Sequence, residues 1–143
     1  MTETFPYSKR SHYPHMKPAD IAIWERFIDQ NPTAYKSVQY DYLVGAPPPF
    51  DPTVNAATGG EVSDLYRKKI DVVGFTNSDI HIIEVKPNAG PSAIGQVKGY
   101  AALYRRDEHP ILPVHSVIIT DVLRPDLEFI AAEEHIILIV IKP

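Results

Sequence analysis

The chain has 143 residues, 44% of them apolar and 22% charged, which bounds it to one ordinary globular domain with a single sizeable core. Cysteine is absent, so disulfides and thiolate metal sites are excluded, and a formal charge of −4 argues against a general nucleic-acid coater, whose surface is ordinarily basic. No apolar run reaches membrane-spanning length and Met1 to Pro14 is too polar for a signal peptide, so the expectation is a soluble, unexported, cytoplasmic protein without a membrane partner.

Residues 1–17 show no periodic apolar pattern and read as a flexible N-terminal arm, leaving 18–143 as the single domain. His12 and His15 in that arm have a spacing that can hold a metal, although the unstructured context speaks against it. Pro18 to Gln30 is predicted as the first helix, with proline at its start, Asp20 in the first turn, and Ile21, Trp24, Phe27 and Ile28 on one face. Glu25 borders that face. Ser37 to Val44 alternates Val38, Tyr40, Tyr42 and Val44 against Gln39, Asp41 and Leu43, the pattern of a half-buried strand. Gly45 to Gly60 is a long proline-rich connection in which Phe50 is a candidate substrate contact.

Lys69 to Phe75 and Ile80 to Lys86 are rich in β-branched residues and flank the turn residues Thr76 to Asp79, which predicts an antiparallel hairpin. With the turn centred on Asn77 and Ser78, Phe75 pairs with Ile80, and counting outward places Asp71 opposite Glu84. Their Cβ atoms are then about 4.5–5.5 Å apart on one face, where two carboxylates repel unless a cation lies between them. Magnesium or manganese suits such a site, because it takes hard oxygen ligands and one or two carboxylates. Strand periodicity returns Lys86 to the same face, and Lys69 falls opposite Lys86.

Pro91 is placed to open a helix running to about Arg106, with Gln96 and Tyr100 one turn apart on one side. His115 to Asp121 reads as a strand, Arg124 to His135 as an acidic helix, and Ile136 to Ile141 as a strand buried on both faces, an order that suggests a parallel crossover. The fold class is therefore α/β, a central mixed sheet flanked by helices in the order α-β-β-β-α-β-α-β.

Asp71, Glu84-Val85-Lys86 and Gln96-Val97-Lys98-Gly99-Tyr100 together resemble the PD-(D/E)xK nuclease superfamily, in particular its RecB-like branch with a Gln-x-x-x-Tyr motif. Ile70 stands where the superfamily's name has proline. The resemblance implies a restriction-endonuclease-like core and metal-dependent hydrolysis of DNA phosphodiester bonds, with DNA as partner. It implies that Asp71, Glu84 and the Val85 carbonyl bind Mg2+ or Mn2+, and that Lys86 acts on the attacking water or the developing charge. Gln96 and Tyr100 position substrate or the other site residues, and Glu25 is the acid the superfamily often carries on its first helix. Arg67, Lys68, Lys69, Lys98, Arg105 and Arg106 are the local positive charges for such a substrate. Two rival readings use the same residues: a catalytically quiet interaction module, within a homodimer or a larger nucleoprotein assembly, and a metal-dependent enzyme acting on a phosphorylated small molecule.

Overall fold

The computed structural model describes residues 2–45 and 68–143; Phe50, Arg67 and most of the proline-rich connection lie outside the described residues. Among the described residues six strands form one mixed sheet, ordered as in the chain: β1 (Thr4–Pro6), β2 (Ser37–Val44), β3 (Lys68–Phe75), β4 (Ile80–Val85), β5 (Val114–Thr120) and β6 (Ile137–Val140). Strands β1 to β4 pair antiparallel, and β4, β5 and β6 pair parallel. Helix α1 (Pro18–Gln30) covers one face, packing Trp24 and Phe27 against Val38, Val72, Ile83 and Val117. Helices α2 (Ser92–Glu108) and α3 (Pro125–Glu133) form the two parallel crossovers and cover the other face, where Val97, Ala101 and Leu127 meet Val73, Ile82 and Ile118. The result is a three-layer α/β domain.

Helix α1 begins where proline costs nothing, because the first helical N–H has no intrahelical partner. It buries Ile23, Trp24, Phe27 and Ile28, each contributing about 1.5–3 kcal/mol by leaving water. The Trp24 indole N–H donates to the Tyr40 hydroxyl at 3.0 Å, so the largest buried ring carries no unpaired polar atom. In β3, Gly74 lies beneath the Tyr35 ring, and a Cβ there would sit 2.7 Å from ring carbons.

Three expectations change. The N-terminal stretch is not a loose arm: β1 pairs with β2, and Tyr13 and Met16 are buried in the core on the α1 side. Strand β6 is not buried on both faces, because it is the sheet's edge and Ile137 remains 40% exposed. The third change concerns β2. Val38 and Tyr40 pack on the α1 side, whereas Tyr42 and Val44 pack on the α2 side, although all four share one strand parity. Asp41 lies between them with φ of 54°, and this left-handed residue rolls the strand over. Strand β3 switches with it, placing Ile70 on the α2 side and Val72 on the α1 side.

Candidate active site

The β3–β4 ladder runs from Phe75↔Ile80 to Val72↔Ile83, the predicted register. One step further out stand Asp71 and Glu84. There the ladder gives way to a side chain: the Val85 N–H donates to Asp71 Oδ2 at 2.9 Å. The same step on the β2 side lies between the pairs Tyr40↔Val72 and Tyr42↔Ile70, so the left-handed Asp41 faces Asp71 where the strands roll over. The backbone thus opens at Asp71, which frees two acids to turn toward one cleft.

That cleft has a volume of about 370 Å3, and Asp71, Glu84, Val85 and Lys86 line it together with Asp20, Lys17 and His15 from the start of α1 and the segment before it. Lys86 is just past the end of β4, where its N–H donates to the Ile119 carbonyl at 2.9 Å and prolongs the parallel pairing with β5. The turn beyond is pinned by two further bonds, Ala89 N–H to the buried Thr120 hydroxyl at 3.0 Å and Asn88 N–H to Asp121 at 2.8 Å. Lys86 is therefore exposed at its head but anchored at its backbone.

Both acids are half-buried and within hydrogen-bonding reach of each other. Burial pushes the Asp71 carboxyl up to about 6, opposed by the Val85 hydrogen bond and aided by the charges of Asp20 and Asp41. Burial and then the neighbouring Asp71 push Glu84 up to about 8, with Lys86 opposing. Asp20 raises both, which places three acids in one electrostatic neighbourhood.

Among the described residues no group of three or more His, Asp or Glu is arranged to hold a metal ion by itself. A pair of carboxylates with an adjacent main-chain carbonyl nevertheless fits Mg2+ or Mn2+, which bind through one or two carboxylates and fill the other positions with water and substrate oxygen. With Glu84 raised to about 8, the hydrogen-bonded pair shares a proton near neutral pH, and a bound cation would take that proton's place.

The remaining predicted residues divide. Tyr100, on α2, is half-buried, and after burial it is the charges of Glu84 and Asp71 that raise its hydroxyl pKa, so it stands near the pair without lining the cleft. Gln96 is exposed one turn earlier and does not line the cleft. Glu25 is not at this site; it accepts a hydrogen bond from the Tyr13 hydroxyl at 3.1 Å. Five residues beyond Asp20, it sits about 7.5 Å further along α1 and about 140° around it, so both cannot address one cleft. The first-helix acid at the cleft is Asp20. An acid in a first turn is ordinarily explained by the helix dipole, and Asp20 also accepts from the Lys17 N–H at 3.3 Å, so no pattern in the sequence separates it from a cap.

The expected opposition of Lys69 and Lys86 lies beyond the paired part of the β3–β4 ladder, which ends at Val72↔Ile83; on its other edge Lys69 pairs with Leu43 of β2. His15 lines the cleft, whereas His12 is exposed and offers its carbonyl to Arg10. Two of the surface cations are already neutralised, Lys98 by Glu134 and Arg106 by Asp107 at 2.8 Å. Comparison with protein-family models, curated proteins and solved structures found no match to the chain. No helix among the described residues is long and apolar enough to cross a membrane.

Proposed function

We propose that the chain is a metal-dependent nuclease that hydrolyses DNA phosphodiester bonds at the Asp71–Glu84 cleft. The observation that carries this reading is the convergence of the half-buried Asp71–Glu84 carboxylate pair with Lys86 at the open end of a parallel-antiparallel junction in the sheet. A scaffold has no physical need to collect a lysine beside paired, half-buried acids.

Asp71, Glu84 and the Val85 carbonyl would hold Mg2+ or Mn2+. When bound, the cation supplies a water of lowered pKa and offsets charge on the phosphate. Lys86, with donors but no free lone pair while protonated, faces the same cleft as a fixed positive charge and stabilises negative charge developing on the phosphate. Asp20 holds the cleft negative from the α1 side, and Lys17 opposes it at the rim. Tyr100 positions Glu84 from the α2 face.

Cleavage assays on linear, branched and single-stranded DNA with magnesium, manganese and chelator test the proposal. Metal-dependent cutting abolished by Asp71→Asn and by Glu84→Gln is the expected result. The alternative, a quiet interaction module, is favoured by the ion pairs that neutralise Lys98 and Arg106. A chain that binds a partner yet cuts no DNA under any of these conditions would establish it.

A further inference from the structure

His15 lines two clefts at once, the acid cleft and a neighbouring one of about 280 Å3, close to the lower end of small-ligand sites at ~300 Å3. The second cleft has a different character. Its walls carry the aromatic rings of Phe5 and Tyr40, the guanidinium of Arg10 and the carboxylates of Asp41 and Glu3. Arg10 lies flat enough on Phe5 to bring its Cζ within 3.7 Å of the ring centroid, and it forms no ion pair among the described residues. One guanidinium plane is thus backed by an aromatic ring and left without a carboxylate partner.

From this arrangement we infer that the second cleft is a nucleobase subsite, which takes the unpaired base of the nucleotide next to the phosphate held in the acid cleft and selects bases that bear an amino group. The inference rests on the nuclease reading and names its substrate class, a strand with at least one unpaired nucleotide beside the cut. Stacking requires a flat, polarisable surface, and Arg10 on Phe5 supplies one. A phosphate is disfavoured in this lobe because Asp41 and Glu3 share it, whereas a carboxylate accepts readily from an exocyclic amine. Thymine has no such amine.

Asp41 gives the subsite its second line of support. A non-glycine residue with φ of 54° in mid-strand is strained, and such strain persists where the surroundings over-determine it, most often at binding and catalytic sites. Here it turns Asp41 into the second cleft while the facing Asp71 turns into the first. One backbone feature thereby spaces the base position from the phosphate position, with His15 as the shared wall.

The test uses the full chain carrying Lys86→Met, to suppress cutting, in magnesium, with short single strands containing 2-aminopurine. Emission should fall on binding as the base stacks. Arg10→Ala and Phe5→Leu should each weaken single-strand affinity by about fivefold or more, and Arg10→Ala, at a half-buried surface position, does so without loss of the fold. Strands of cytosine should bind tighter than strands of thymine, and Asp41→Asn, whose amide tolerates the left-handed backbone and can present donor or acceptor, should erase most of that preference. Unquenched binding with parental affinity in Arg10→Ala, or equal affinity for cytosine and thymine in the parent, would overturn the subsite. Cleavage by the wild-type chain is read in parallel: cutting without any effect of Arg10 sinks the subsite alone, whereas neither binding nor cutting of any DNA sinks the nuclease reading with it.

Discussion

The Val85 main-chain N–H donates to Asp71 Oδ2 at 2.9 Å, so the first acid of the pair is held by the backbone of the residue that follows the second. Asp71→Asn keeps an acceptor for that donor, and Asp71→Ala does not. In chelator at about pH 8, urea unfolding should find Asp71→Asn at least as stable as the parent, because one of two neighbouring acids is gone. Asp71→Ala should be less stable than Asp71→Asn by about 1–3 kcal/mol, the cost of a buried donor left unpaired. Equal stability of the two variants would mean that the bond contributes nothing.

The pH dependence follows from the same pair. Unfolded carboxyls titrate near ~4, whereas burial and repulsion raise Asp71 to about 6 and Glu84 to about 8 in the folded chain. Between those values the folded state binds more protons than the unfolded chain, so stability falls as pH rises. The pair's stabilising contribution is complete below about pH 4 and is lost as pH rises through about 6 and about 8. Thermal melts in chelator should show Tm declining over that window, with Glu84→Gln flattening its upper part and saturating Mg2+ cancelling most of the decline. A Tm that climbs with pH in chelator would contradict a buried, repelling pair.

Lys86 separates binding from chemistry, because it shares the cleft with the acids and is not a ligand. Lys86→Met retains much of the aliphatic stem and removes the charge. Calorimetry should find divalent binding preserved while cleavage falls about 100- to 1,000-fold, the usual effect of losing one preorganised electrostatic contact. Near-parental cutting would reduce Lys86 to a strand-end lysine.

Asp20 and Glu25 offer a paired test of which face of α1 addresses the site. Asp20→Asn keeps an acceptor for the Lys17 N–H, yet removes the charge that faces Asp71 and Glu84. Divalent affinity should drop about 10- to 100-fold, as for a residue supporting a metal site from outside its ligand set. Glu25→Gln should leave it unchanged, since Glu25 bonds Tyr13 instead. The opposite ranking would restore Glu25 as the first-helix acid.

Salt dependence of DNA binding distinguishes free from neutralised cations. Arg105 is exposed, while Lys98 and Arg106 are paired with Glu134 and Asp107. Arg105→Ala should lower the slope of log affinity against log salt by about one unit, and Lys98→Ala and Arg106→Ala should lower it by less. Binding without any salt dependence would argue that DNA is not the partner.

Local chemistry in the chain was sufficient for much of this architecture. The bounds of α1 and β2, the hairpin register and the parallel crossover from β5 to β6 follow from proline placement, turn residues and apolar periodicity, all of which act within a few residues of sequence. Asp71, Glu84 and Lys86 were legible for the same reason, since a two-residue turn sets the register of everything counted outward from it. What the chain did not disclose depends on contacts between distant segments. The N-terminal stretch lacks periodicity because β1 is an edge strand of three residues whose order comes from β2 and from burying Tyr13 and Met16. Asp20, His15 and Lys17 reach the acids only because α1 lies across β4 and β5, a docking that no spacing within α1 encodes. The roll of β2 at Asp41 is likewise invisible to parity, because Val38, Tyr40, Tyr42 and Val44 alternate faultlessly in sequence while a single left-handed residue sends the two halves to opposite cores. Periodicity reports which residues seek burial; tertiary packing decides on which side of the sheet each is buried, and therefore where the backbone opens to form the cleft.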